Sequence, residues 1–113
     1  MKHALSTHVL DTASGRPAAG VRVVLYRGDA VIVSTRTNAD GRTDAPLLAG
    51  DAFVAGAYRI EFAVGDYFAS IGNDDARRFL DVVPIAFVVD DPAAGYHVPL
   101  LCTPWSYSTY RGS

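Results

Sequence analysis

The sequence is poor in lysine, in cysteine and in long apolar runs, and each scarcity excludes a class of protein. Lys2 is the only lysine against nine arginines, and the formal charge is −2, so no basic face for nucleic acid is evident. The single cysteine, Cys102, cannot form an intrachain disulfide, which fits a reducing compartment. No apolar run approaches the roughly 18 residues of a membrane span, and the polar residues that follow Lys2 do not resemble a secretory signal. We therefore expect a cytoplasmic protein that binds neither nucleic acid nor membrane.

The length and composition are those of one folded domain. Half of the 113 residues are apolar and 19% are charged, an ordinary globular balance. We expect a single domain that spans residues 1–113. A chain of this size has little room for a deep internal pocket, which favours an active site shared between subunits.

Alternation of apolar and polar residues, rather than helical spacing, dominates the chain. Its clearest example is a segment in which Tyr58, Ile60 and Phe62 alternate with Arg59 and Glu61. Seven or eight short strands at this spacing predict an all-β sandwich of two sheets. Besides residues 58–62, the predicted strands are residues 5–10, residues 21–27 and 31–37 as a hairpin, residues 82–89 with Pro84 at its start or at a sheet edge, and residues 96–102 and 106–110.

One short helix is predicted to begin after Asn73. The side chain of Asn73 is a suitable N-cap, and Asp74 and Asp75 suit the positive end of a helix dipole. Arg77 and Arg78 suit the opposite end.

Two histidines are predicted to face away from the sandwich core. In the segment 96–102, the side chains of Val98, Leu100 and Cys102 form the better core face, which leaves His97 pointing outward beside apolar neighbours. The same reasoning turns His8 outward on the first strand. An outward face that mixes histidine with large apolar residues indicates a subunit interface or a binding groove. From the residues alone, an ordinary surface position or a hydrogen-bonded core position stays open for each histidine.

The sequence offers no local metal or phosphate motif. Its three histidines lack any Cys-x-x-Cys or His-x-x-x-His spacing. The glycines form no phosphate loop, and no serine lies in a nucleophile elbow. We expect neither a metal nor a cofactor.

Three separated motifs resemble those of the transthyretin-like proteins. The first is Leu-Ser-Thr-His-Val-Leu-Asp at residues 5–11, followed by Gly-Arg-Pro-Ala at residues 15–18. The second is Tyr-His-Val-Pro-Leu-Leu at residues 96–101. The third, Tyr-Arg-Gly-Ser at residues 110–113, resembles the signature that separates the 5-hydroxyisourate hydrolases of this family from the hormone carriers.

The resemblance implies a fold, an assembly and a reaction. The fold is a prealbumin-like β-sandwich, and the assembly is a homotetramer with its sites at the dimer–dimer interface. The reaction is hydrolysis of 5-hydroxyisourate to 2-oxo-4-hydroxy-4-carboxy-5-ureidoimidazoline in urate degradation, with no metal.

The resemblance also implies which residues form the site. The implied catalytic residues are His8, Arg42, His97 and Ser113. The implied substrate-binding residues are His8, Arg42, Tyr110 and Arg111.

The chemistry of these side chains fits the opening of a cyclic amide by water. Histidine titrates near neutral pH, so either His8 or His97 can take the proton from water while the other orients it. Arg42 can hold substrate oxygens and the developing oxyanion. Ser113 offers a hydroxyl and a terminal carboxylate that relay a proton or orient a histidine.

Two other functions remain open on the sequence. One is a non-enzymatic carrier that uses the same sandwich to bind small aromatic ligands. The other is a structural sandwich whose histidines lie in a packing interface. A polar and reactive lining around His8, Arg42 and His97 favours the enzyme over both.

Overall fold

The computed structural model describes residues 3–112, and most of their regular structure is β. The strands are β1 (Ala4–Ser6), β2 (Val9–Asp11), β3 (Arg16–Pro17), β4 (Arg22–Arg27), β5 (Ala30–Arg36), β6 (Leu48–Ala49), β7 (Gly56–Ala63), β8 (Val82–Val89), β9 (Tyr96–His97), β10 (Leu100–Cys102) and β11 (Tyr107–Thr109). A helix, α1 (Val64–Ser70), and a 3₁₀ turn (Gly50–Ala52) complete the elements. Neither of these two helical elements is long and apolar enough to cross a membrane.

The strands form two layers around one core. One layer is the antiparallel sheet β5-β4-β7-β8. The other consists of β6-β1-β9 and β11-β10-β2-β3, which follow one another because β1 leads into β2 and β9 leads into β10. The largest fully buried side chains come from both layers and from α1: Phe62, Phe68, Leu5, Leu25, Ile60 and Leu100.

The predicted alternation is confirmed in the four-stranded sheet. Tyr58, Ile60 and Phe62 are buried on one face of β7, as the period of two requires. β4 and β5 pair as the predicted hairpin. β8 lies at the edge of its sheet, where Pro84 is tolerated although it has no backbone N–H to donate.

The helix predicted after Asn73 is wrong. The Oδ1 atom of Asn73 accepts a hydrogen bond from the backbone N–H of Asp75 at 2.9 Å, which forms a local turn instead of starting a helix. Arg77 has a φ of 61°, in the left-handed region, which a continuing right-handed helix cannot contain. Residues 73–79 are therefore turns and bends.

The helix lies earlier, directly after β7. Val64, Tyr67 and Phe68 are buried, and their spacing of three and four residues places them on one helical face. Asp66 lies in the first turn, where its charge suits the helix dipole. The sequence thus contained a helical signal at Val64–Ser70 that the alternation on both sides obscured.

The two strands predicted to carry the histidines are each broken in two. β1 pairs in parallel with β9, and β2 pairs in parallel with β10. Between the halves of the second strand lies Pro99, which has no N–H for the ladder. Hydrogen bonds from Val98 N to Ser6 O and from Leu100 N to His8 O, both 2.9 Å, still join the two segments where the strands are broken.

Candidate active site

The register of β1 against β9 positions His97. Ser6 and His97 are direct partners in this parallel pair. Side chains at matched positions of neighbouring strands leave the sheet on the same face, so these two lie side by side. The Oγ atom of Ser6 lies 2.9 Å from Nδ1 of His97, within hydrogen-bond distance.

A tight turn brings Arg42 beside His8. The two residues form an isolated antiparallel bridge. Asn38 organises the turn, because its Oδ1 atom accepts hydrogen bonds from the backbone N–H groups of Asp40 (2.9 Å) and Arg42 (3.2 Å). Gly41 has a φ of +76°, and a Cβ there would collide with the carbonyl oxygen of Val9. Only glycine fits this step of the turn.

The hydrogen bond of His8 fixes which of its ring nitrogens carries a proton. Its Nε2 atom lies 2.8 Å from the carbonyl oxygen of Asp40. A carbonyl oxygen only accepts hydrogen bonds, so Nε2 of His8 must be the donor. In the neutral ring the lone pair therefore belongs to Nδ1.

The C-terminal segment packs directly on His97. Backbone hydrogen bonds run from His97 N to Gly112 O (3.2 Å) and from Gly112 N to His97 O (2.6 Å). A Cβ on Gly112 would lie 3.1 Å from Cβ of His97 and 3.2 Å from its Cδ2, closer than ordinary contacts allow. Glycine thus permits the tail to cover one side of the histidine.

The side chains of the other tail residues lie in different surroundings. The guanidinium of Arg111 lies 4.2 Å from the centre of the Tyr96 ring and donates a hydrogen bond to Gly95 O at 3.0 Å. The side chain of Tyr110 is exposed. Ser113 lies outside the described residues. Substrate contacts by Tyr110 and Arg111 and a catalytic role for Ser113 stay predictions.

Arg42 and His97 share an open cleft of about 430 Å³. The other residues that line this cleft are Ser6, Thr7, Thr43, Asp44, Ala45 and Pro46. None of these six residues is among the site residues predicted from the sequence. Ser6 could have been predicted as a site residue from the sequence, because it lies two residues before His8 and shares the outward face of the predicted strand.

The surroundings of His97 favour its neutral form. The pKa of His97 is lowered from 6.5, first by burial and then by the positive charge of Arg42 and the proximity of His8. The imidazole is therefore available as a proton acceptor at neutral pH.

The described residues offer no ready metal centre. Within residues 3–112, the structure contains no group of three or more His, Cys, Asp or Glu side chains arranged to hold a metal ion. The polar side chains of the cleft carry three hydroxyls, an imidazole, a guanidinium and a carboxylate, which suit binding and hydrolysis of a polar organic molecule.

The two-layer sandwich with this polar cleft defines a transthyretin-type β-sandwich protein, and three comparisons agree. A 5-hydroxyisourate hydrolase of Deinococcus radiodurans is 54% identical over 96% of this chain and 95% of its own length. The crystal structure of an (S)-allantoin synthase superposes with a TM-score of 0.93 and 43% identity, covering 99% of this chain, which spans only 44% of that one. Sea bream transthyretin in complex with thyroxine gives a TM-score of 0.84 at 28% identity, over 96% of this chain and 94% of its own.

The match to the HIUase/Transthyretin family extends over residues 5–112. The chain belongs to this family. The resemblance seen in the sequence motifs and the prealbumin-like sandwich are both confirmed.

The geometry predicts how His97 titrates. Its midpoint in the folded protein, measured by NMR of the imidazole, should lie below 6.5. The Arg42→Gln substitution removes a positive charge that opposes protonation, so the midpoint should rise.

A matched control is available on the other layer of the sandwich. Arg36 is an exposed arginine on β5, and Arg36→Gln should leave the midpoint of His97 where it is in the unsubstituted protein. A midpoint at or above 6.5, or equal effects of the two substitutions, would contradict the electrostatic assignment.

Proposed function

We propose that this chain hydrolyses 5-hydroxyisourate to 2-oxo-4-hydroxy-4-carboxy-5-ureidoimidazoline in urate degradation. The observation that carries the proposal is the placement of a neutral imidazole, His97, and a guanidinium, Arg42, on one open cleft. Support also comes from the Deinococcus radiodurans hydrolase at 54% identity over nearly the whole chain. A cyclic amide opens when water is deprotonated, the oxyanion is stabilised and the leaving nitrogen is protonated.

His97 is the group that takes the proton from water. It lines the cleft, and its lowered pKa leaves the ring unprotonated at neutral pH. His8 is held differently, because its Nε2–H donates to the Asp40 carbonyl. His8 does not line the cleft, but it is bridged to Arg42 and close enough to His97 to lower its pKa, and we assign it to orienting the water or the substrate.

Arg42 stabilises the charge that develops on the substrate. Its planar guanidinium presents several fixed N–H donors, which suit the carbonyl oxygens of a urate-derived ring and the oxyanion formed from one of them. The turn built by Asn38 and Gly41 holds the backbone of Arg42 in place without using its side chain.

The steps balance with water as the only co-reactant. The oxygen of water bonds to the carbonyl carbon while one of its protons passes to His97. The tetrahedral oxyanion, held by Arg42, then collapses, the C–N bond breaks, and the imidazolium returns its proton to the leaving nitrogen. The carboxyl and N–H groups of the open ring take up the elements of water, and the enzyme is restored.

We further propose a homotetramer in which the cleft lies at the dimer–dimer interface. Large apolar side chains are exposed on edge strands of both layers, among them Val88 on β8 and Tyr107 on β11. Unpaired edges with apolar side chains favour association with further chains. A cytoplasmic location suits the one cysteine, Cys102, whose thiol is free and buried.

The carrier alternative fits the cleft less well. A pocket for small aromatic ligands is lined mainly by apolar and aromatic side chains. Besides Ala45 and Pro46, this cleft presents Ser6, Arg42, Asp44 and His97. Such groups cost free energy when an apolar ligand buries them without hydrogen bonds.

Kinetics test the proposed roles. Freshly generated 5-hydroxyisourate absorbs in the ultraviolet, and its decay measures turnover. Single substitutions His8→Asn, Arg42→Gln and His97→Asn should each lower turnover by about 10²-fold or more, because each removes a base, an orienting group or an oxyanion donor.

The control for these variants is His3→Asn, since His3 is exposed and, unlike His8, is neither bridged to Arg42 nor among the groups that lower the pKa of His97. It should keep the rate of the unsubstituted protein. A His97→Asn variant with near-normal turnover would remove that residue from the mechanism, and an inactive unsubstituted protein would refute the proposed reaction.

Removal of the tail tests the role of the last four residues. A chain lacking residues 110–113 should lose hydrolysis, because the tail covers His97 through Gly112. Circular dichroism of the truncated chain should stay that of a β-sandwich. Full activity of the truncated chain would exclude the tetrapeptide from the site.

Sedimentation tests the assembly. The protein should sediment as a species of four 12.0 kDa chains. Introducing charge at an exposed apolar edge, as in Tyr107→Glu, should shift the protein toward smaller species and lower turnover together. A fully active monomer would contradict a site shared between subunits.

A further inference from the structure

Ser6 makes the direct side-chain contact that holds the ring of His97. Its Oγ atom lies 2.9 Å from Nδ1, and the pair is partly buried. Ser6 also lines the cleft. No role follows for this serine from the resemblance to the family, and the steps proposed above do not use it.

The contact decides which nitrogen of His97 is free to react. An imidazole has two ring nitrogens, and the one bonded to Ser6 is not available to water. Through Gly112 the tail packs against Cβ and the ring atom Cδ2 of His97. Nε2 makes no hydrogen bond within residues 3–112, so it is the nitrogen that remains for proton exchange.

The protonation of Nδ1 follows from the requirement for a base. For Nε2 to accept a proton from water, the single proton of the neutral ring must lie on Nδ1. The Oγ atom of a serine can accept that N–H, and its own proton can turn toward the open cleft. A hydroxyl in this position is thus compatible with the reactive tautomer and restricts rotation of the ring.

We propose that Ser6 is a positioning residue for the hydrolysis, and that it accepts a hydrogen bond from Nδ1–H of His97 so that Nε2 is the base. This inference rests on the proposed function, because a base is needed only if the cleft activates water. Among residues 3–112, the other titratable and charged groups recorded near His97 are Arg42, His8 and Asp44. None of these is hydrogen-bonded to Nδ1 among the described residues.

A different chemical role for Ser6 is distinguishable from positioning. A serine bonded to an imidazole can also act as a nucleophile, with its Oγ attacking the carbonyl and forming an acyl-enzyme. That route would make the hydroxyl indispensable and would leave a covalent adduct of the opened ring on Ser6. Positioning predicts a partial loss of rate and no adduct.

The first experiment measures the tautomer without reference to activity. The ¹⁵N chemical shifts of His97, in protein with labelled histidine above the pKa of this ring, should show Nδ1 protonated and Nε2 unprotonated. In Ser6→Ala the two shifts should move toward each other as the tautomers mix. A proton on Nε2 in the unsubstituted protein would overturn the proposal.

The second experiment measures kcat and KM for 5-hydroxyisourate. Ser6→Ala should lower kcat by about tenfold, the worth of one hydrogen bond, with little change in KM. Ser6→Thr, which retains a hydroxyl, should recover most of the rate. Ser34→Ala, an exposed serine on β5 in the other layer, should leave both constants unchanged.

The outcomes separate the two proposals. An unsubstituted protein that does not hydrolyse 5-hydroxyisourate refutes the proposed function and this role with it. An active protein whose Ser6→Ala variant has unchanged kcat refutes the role of Ser6 alone. A covalent adduct found on Ser6 by mass spectrometry, with total loss of activity in Ser6→Ala, would replace positioning by nucleophilic catalysis.

Discussion

The parallel pairing of β1 with β9 is the constraint on which the site depends. In this register Leu5 lies opposite Tyr96, and Ser6 lies opposite His97. Leu5 and Tyr96 are buried in the core. Burying their apolar surface requires that the next residue of each strand point outward. A slip of one residue would bury His97 and expose Tyr96. The hydrophobic effect in the core therefore orients the imidazole that faces the cleft.

Hydrogen bonds to main-chain groups hold the C-terminal tail and the Arg42 turn in position. The tail is held to His97 by two main-chain hydrogen bonds, and the Arg42 turn is held by Asn38 and by the shape that Gly41 allows. Because these bonds do not use the side chains of Arg42 or His97, the guanidinium and Nε2 of the imidazole stay free for a ligand. Burial and, after it, the charge of the nearby Arg42 lower the pKa of His97, which leaves its imidazole unprotonated and available to accept a proton.

The sequence predicted the strands far better than the helix, for a physical reason. Burial on one face imposes a period of two, and segments such as β7 and β8 display it directly. The signal at Asn73 was ambiguous, because the same side chain that caps a helix also closes an isolated turn.

The site was predictable only in part. Alternation turned His8 and His97 outward, but Arg42 entered through the resemblance to the family, since nothing in its own segment distinguishes it from a surface turn residue. The contact between Ser6 and His97 joins residues 91 positions apart and depends on strand register. Single-chain periodicity does not encode that register.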